Sequence, residues 1–251
     1  MLNKDLAVCI RAVDYSETSQ VVTFFARDAG KFTAIAKGSK RPRSAFDGPI
    51  ELFAHGRIVY SQSHTGKLAT LTEFQQQKPF SFPARSLFAL HCASLAAELV
   101  HSTTDDCDPH PQLFDAFLKF LRDLDHATSP LQLLIILQLT LLEEIGLIPV
   151  LDHCANCKTR YSAGRLTAER RATSDEYYFS SSANGLLCRD CEANFPDKIP
   201  VTKSAGEVLY NLKKLAESND KILREIEKVL ISHFTNTIGK QPRMAKHVLI
   251  Y

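Results

Sequence analysis

A chain of 251 residues with 45% hydrophobic content and a formal net charge of +2 is long enough for one large core or two to three small ones, and too apolar to be disordered. Its seven cysteines, and an opening Met-Leu-Asn-Lys-Asp-Leu with no apolar core suited to secretion, fit a reducing cytoplasm and argue against an exported protein. The charge is uneven: residues 1–80 carry 11 Lys and Arg against 7 Asp and Glu, residues 81–150 carry 3 against 9, and residues 151–251 carry 16 against 12. Basic ends suit a polyanion, and an acidic middle suits packing or a protein partner.

The first eighty residues have a strand rhythm. Leu6, Val8, Ile10 and Ala12 alternate, a β-rich run covers 21–25, residues 27–30 form a turn, and Phe32, Ala34 and Ala36 alternate again. Two further strands are expected over 51–62 and 67–75, joined by the turn residues 63–66. Five short strands in this length predict a small closed barrel of the OB type.

Residues 31–43, K-F-T-A-I-A-K-G-S-K-R-P-R, hold Lys31, Lys37, Lys40, Arg41 and Arg43 without an acidic residue. Gly38 and Pro42 make this a flexible exit from a strand, so its charges are expected to project from the barrel toward phosphates, although a merely solvated charge run has the same composition. Phe24, Phe25, Phe32, Phe46, Phe53 and Tyr60 lie in or beside the same barrel. Alternating aromatics are more often core, yet single-strand binders also use such rings to stack bases.

From Pro83 the period changes to three and four. Leu87, Leu90, Leu95 and Leu99 predict one helix, and residues 113–124 predict a second. A third covers 131–142, with Ser129 as N-cap, Pro130 at the first helical position and Gly146 near its end. That run is too short for a bilayer span of about 20 residues and reads as a buried core helix. Between the first two helices, His101, Cys107 and His110 accompany Asp105, Asp106 and Asp108. Their spacing matches no recurring ligand motif, so a polar loop is expected there, not a metal site. Glu143 and Glu144 read as solvated residues at a helix end.

Cys154 and Cys157, then thirty residues, then Cys188 and Cys191, form two CxxC pairs. Each pair can turn two thiolates onto one ion, and four sulfurs make a closed tetrahedral site, so structural Zn²⁺ in a ribbon-like module with an inserted hairpin is expected. The rival readings are redox CxxC pairs, which sit at a strand-to-helix junction whereas neither pair here follows a strong apolar strand, and two disulfides, which need an oxidising compartment. His153 adjoins the first cysteine but is surplus to a four-thiolate set. Arg170 and Arg171, in the insert, either add to a phosphate-binding surface or are solvated.

After Pro200, Val208, Leu209, Leu212 and Leu215 predict one helix. Ile222, Leu223, Ile226, Val229, Leu230 and Phe234 predict another, entered at Ser218 or Asn219 and ended by Gly239. The expected organisation is a multidomain α+β chain: an OB-type barrel over 1–80, a helical domain over 81–150 and 200–251, and an inserted zinc-ribbon-like module over 151–199. No phosphate-binding GxxxxGK[ST], GxSxG elbow, HExxH, post-strand GxGxxG or zinc-deaminase pattern occurs, and no enzyme is expected.

The residues carry a family resemblance. The opening V-x-Y-S-E-T-S, the continuation V-V-T-F-F-A-R-D-A-G-K-F-T-A-I-A-K-G-S-K-R-P-R-S, the L-x-x-L-x-E close of the barrel, L-L-E-E-I-G-L-I-P, D-H-C-A-N-C and N-G-L-L-C-R-D-C together resemble the bacterial RecO family of recombination mediators over nearly the whole chain. The resemblance implies a DNA repair protein of the RecF pathway, acting at double-strand breaks and gaps. It implies binding of single- and double-stranded DNA, annealing of complementary strands, and help to RecA in replacing single-strand-binding protein, with RecR as partner. It also implies a nucleoid-associated cytoplasmic location without membrane attachment, DNA contacts from Lys37, Lys40, Arg41 and Arg43, and zinc on the four cysteines supporting the fold. The family's pocket for the C-terminal tail of single-strand-binding protein lies in the helical part, where an acidic balance is a poor match for an acidic tail. Two other readings compete: a zinc-stabilised interaction adaptor that does not anneal strands, and a nuclease using the acids of 105–108.

Overall fold

The protein, described by a computed structural model at residues 2–42, 44–62, 68–161 and 176–250, divides into two compact units. One comprises Met1–Ala93 and Ala97–Ala127, the other Ser94–Ala96 and Thr128–Tyr251.

In the first unit five strands, β1 (Leu2–Asp14), β2 (Gln20–Ala26), β3 (Gly30–Ala36), β4 (His55–Ser61) and β5 (Ala69–Gln76), close a barrel in the order β1-β2-β3-β5-β4. The strand β1 serves two neighbours. Its first half pairs with β4, from Leu2↔Ser61 to Val8↔His55, and its second half pairs with β2, from Ala7↔Ala26 to Asp14↔Gln20. A register shift between Cys9 and Arg11 gives the local bend that closure requires. Only β3 and β5 run parallel, which completes an OB-type barrel.

Its interior is aromatic. Phe24 meets Phe74 edge-on at 5.4 Å, and Phe32 stacks on Tyr60 at 4.5 Å. The strand β2 is buried on both faces except at Val21, because Phe25 leaves the barrel to pack on Phe114 and Phe117 of α3 (Pro111–Leu124). Strand four begins at His55, later than the sequence predicts. Phe53 turns the chain at φ 67°, its N–H donates to Cys9 O, and Cys9 N–H donates to Ala54 O, so residues 51–54 form a turn. The predicted turn at 63–66 lies outside the described residues.

Two more helices, α1 (Phe82–Arg85) and α2 (Leu87–Thr103), precede α3. Asp125 accepts from the N–H groups of Ser81 and Phe82 at 2.7 and 2.8 Å, and Ser86 Oγ caps α2 by accepting from Ala89 N. The helices expected to form one body are divided, since α3 groups with the barrel and α4 (Pro130–Glu144) with the second unit.

In the second unit α4 packs against α6 (Asp220–Ile238). Pro130 does occupy the start of α4, but the Ser129 side chain makes no capping bond. A three-stranded sheet in the order β7-β6-β8 contains β6 (Glu176–Ser180), β7 (Gly185–Leu187) and β8 (Ile199–Thr202). The apolar rhythm after Pro200 predicts one helix. Instead α5 (Lys203–Tyr210) stops where Asn211 leaves the helical region, and residues 212–217 form a 3₁₀ turn. Asn219 Oδ1 accepts from Ile222 N at 3.0 Å and Gly239, at φ 77°, ends α6, as helix-capping chemistry predicts. A short α7 (Ala245–Leu249) closes the fold. Among the described residues no helix is long and apolar enough to cross a membrane.

Candidate functional site

The basic segment becomes a turn at the end of β3. Gly38 sits at φ 73° and Arg41 N–H donates to Gly38 O, a conformation that glycine adopts without strain. The turn is tied to the β1–β2 loop: Gly38 N–H donates to Ser19 Oγ at 3.2 Å and Lys40 N–H to Thr18 O at 3.1 Å. Beneath it a buried side chain acts as a clasp. Gln20 Oε1 accepts from Ser39 Oγ and from Ile50 N, both at 2.9 Å, while Gln20 Nε2 donates to Ile50 O at 3.2 Å. Gln20 and Ser39 are both buried, and each such bond contributes about 1 kcal/mol net. The exit from β3 is therefore held in place and is not the flexible segment that its Gly and Pro suggest. A lone Gln at a strand start carries no sequence signal for this role.

Lys37 and Arg41 are exposed on this turn. Lys40 Nζ pairs with Asp14 Oδ2 at 2.7 Å, a surface contact worth roughly 0–1 kcal/mol and weakened by salt, so a phosphate can compete for it. Arg43 lies outside the described residues. The structure sets Lys31 apart from these cations. Its side chain is buried, with Nζ donating to His101 O at 2.7 Å and Thr104 O at 2.6 Å and lying 3.3 Å from Asp106 Oδ1. The expectation that it faces phosphate is not retained, because its charge is engaged with the end of α2. Phe24, Phe25, Phe32, Phe46, Phe53 and Tyr60 are all buried and present no free face.

The His101–His110 stretch packs on the barrel. Cys107 N–H donates to Lys31 O at 2.7 Å, and a Cβ on Gly30 would meet Asp108 O at 2.1 Å. These residues form no ligand group.

Among the described residues, one group of His, Cys, Asp or Glu has the closeness an ion needs. It is Cys154, Cys157, Cys188 and Cys191, whose sulfurs all lie within 4.8 Å of one another. Two knuckles assemble it. Lys158 N–H donates to Cys154 O, Cys191 N–H to Cys188 O, and Cys188 N–H points at Cys154 Sγ at 3.4 Å. The inserted hairpin is β6–β7, with Ala155 N–H donating to Leu186 O to join the first knuckle to β7. Arg170 and Arg171 lie outside the described residues. Tetrahedral Zn–S bonds of about 2.3 Å imply sulfurs about 3.8 Å apart, and Cys157 Sγ and Cys188 Sγ are 3.7 Å apart, so the donor set fits a metal ion. Thr159, 3.3 Å from Cys157 Sγ, holds that thiol down to about 6, whereas burial pushes Cys188 and Cys191 up. A bound cation would draw all four to thiolates. Thr159 is a contributor that spacing alone did not mark. His153 stands aside, with Nδ1 2.7 Å from Asp152 Oδ1.

A closed OB-type barrel bearing a pinned basic turn, together with a helical unit carrying a four-cysteine knuckle, defines the class of this protein. Residues 1–80 match the family described as Recombination protein O N terminal, and residues 84–247 match Recombination protein O C terminal. The chain belongs to the RecO family. It is similar to the DNA repair protein RecO of Bacillus subtilis, 30% identical over 209 residues covering 83% of this chain and 76% of that protein. The same-named protein of Bacillus pumilus is 28% identical over 246 residues, 95% of this chain and 90% of its own length. That of Rhodopirellula baltica is 30% identical over 211 residues, 84% and 74% of the two chains.

Proposed function

We propose that this protein is a DNA repair and recombination mediator that binds single- and double-stranded DNA through the basic turn of its barrel and anneals complementary strands. The observation that carries this reading is the hydrogen-bonded fixing of Lys37, Lys40 and Arg41 on one turn in a chain of the RecO family. Complementary strands repel through their phosphates. Cations carried on a turn whose backbone is already fixed neutralise that charge without the cost of ordering the loop, and base pairing supplies the driving force without ATP. In the same reading Arg43 extends the cationic surface, and Zn²⁺ on Cys154, Cys157, Cys188 and Cys191 stabilises the 151–199 module. The protein works in the cytoplasm at the nucleoid, where RecR and the C-terminal tail of single-strand-binding protein are its partners and RecA is the beneficiary. The helical segments 81–150 and 200–251 serve those partners, and the barrel over 1–80 serves DNA.

The test is a salt titration of oligonucleotide binding, with strand annealing measured in parallel. Replacing Lys37, Lys40 and Arg41 by Ala should weaken single-strand binding, flatten the slope of log affinity against log salt by about 0.7 for each phosphate contact removed, and slow annealing. Unchanged affinity and slope would remove the basic turn from the DNA interface.

A further inference from the structure

The six barrel aromatics that could have stacked bases are all buried, in the barrel or beneath the helices, so none of the six offers a face to a base. One aromatic is placed otherwise. Among the described residues Tyr15 is the only exposed Phe or Tyr, at 69%. It lies in the β1–β2 loop, the same loop that pins the basic turn. Tyr15 N–H and Ser16 N–H both donate to Ser19 O, at 2.9 and 3.2 Å, which closes the loop on itself. From that closed loop Thr18 O and Ser19 Oγ accept from Lys40 N and Gly38 N, and Asp14, next to Tyr15, pairs with Lys40 Nζ. The backbone carrying the ring and the backbone carrying the cations are therefore one hydrogen-bonded assembly. Asp14, paired with Lys40 at the surface, and Glu17 are the two acids of the loop region.

A lone exposed tyrosine needs no explanation by itself. This one stands beside Lys37, Lys40 and Arg41, on a loop that OB barrels use toward oligonucleotides. We propose that Tyr15 is a base-stacking residue: its ring takes the face of an unpaired base while the neighbouring cations take the flanking phosphates. Bases in a duplex already stack on one another, so Tyr15 confers a preference for single strands where the cations confer none. This assignment rests on the nucleic-acid reading above and adds to it the residue that tells single strands from double.

The experiment compares binding of a labelled oligothymidine and a labelled duplex by the full chain. Tyr15→Ala should lose roughly tenfold in affinity for the oligothymidine, with duplex affinity and the salt slope unchanged, and Tyr15→Phe should restore the loss. The chain contains no tryptophan, so Tyr15→Trp supplies a single emission reporter that the oligothymidine should quench and the duplex should not. Undiminished oligothymidine binding by Tyr15→Ala, or unquenched emission from Tyr15→Trp, overturns the assignment. Equal loss on both substrates also overturns it, since a protein-binding or purely structural tyrosine cannot distinguish them by stacking. Failure of the underlying reading looks different: the unsubstituted protein would not bind oligothymidine, or would bind it with no dependence on Lys37 and Arg41.

Discussion

Lys31 and Lys37 belong to one basic segment, and the barrel gives them opposite environments. Lys31 lies within β3, where its ammonium is buried against the last carbonyls of α2, while Lys37 lies one residue beyond the strand and is exposed. A lysine at the C-terminal end of a helix satisfies orphan carbonyls and complements the helix dipole. Lys31→Met should leave His101 O and Thr104 O without their partner and cost about 1–3 kcal/mol, read as a lower denaturation midpoint, with the salt slope of DNA binding unchanged. A flattened slope at unchanged stability would instead make Lys31 a phosphate contact. Neighbours in sequence thus divide into one residue that holds the unit together and one that faces solvent.

At the scale of elements, α4 and α6 enclose a polar pair inside an apolar contact. Gln138 Nε2 donates to Glu227 Oε1 at 2.9 Å, both residues are buried, and among the described residues Gln138 Oε1 and Glu227 Oε2 have no hydrogen-bond partner. Burial raises the Glu227 carboxyl from 4.5 to about 7, opposed by the Gln138 bond. The folded state therefore holds the proton more tightly than the unfolded chain. The stability this confers is complete below about pH 4.5, falls as pH rises toward about 7, and is flat above, a span of roughly 3 kcal/mol. His233 has the opposite sign, because burial lowers its ring and disfavours the cation. The comparison with Glu227→Gln isolates the carboxyl. Urea denaturation at pH 5 and pH 8 should show the unsubstituted protein losing stability relative to Glu227→Gln as pH rises, and parallel pH dependences would show that Glu227 is ionised throughout.

At the scale of the whole molecule, the barrel and the four-cysteine module belong to different units with separate cores. The core around Cys154, Leu187 and Cys191 is small, and a core of that size would draw much of its folding energy from metal–thiolate bonds if the four cysteines hold the ion they fit. Chelation should therefore abolish hydrogen-exchange protection in 150–161 and 176–202, leave β1 to β5 protected, and leave part of the single-strand binding. Complete loss of binding on chelation would place the metal module within the DNA interface.

Local spacing determined much of this protein without any fold. Two CxxC pairs identify the four-thiol group, alternating and β-rich runs between turn residues identify five strands, and Asn219 and Gly239 mark the ends of α6, because each feature is settled within a few residues of chain. Tertiary structure alone decided which charges and rings face out. Alternation shows that a strand has two faces but not what covers the second, and so the burial of Phe25 beneath α3, the capture of Lys31 by the end of α2 and the clasp of Gln20 under the basic turn were not legible. The break at Asn211 and the late start of β4 have the same origin, since contacts distant in sequence outweighed a local apolar rhythm. Tyr15 reverses the pattern: an aromatic beside alternating strands resembles core, and only the closed barrel, by filling its interior with other rings, leaves it outside next to the cations.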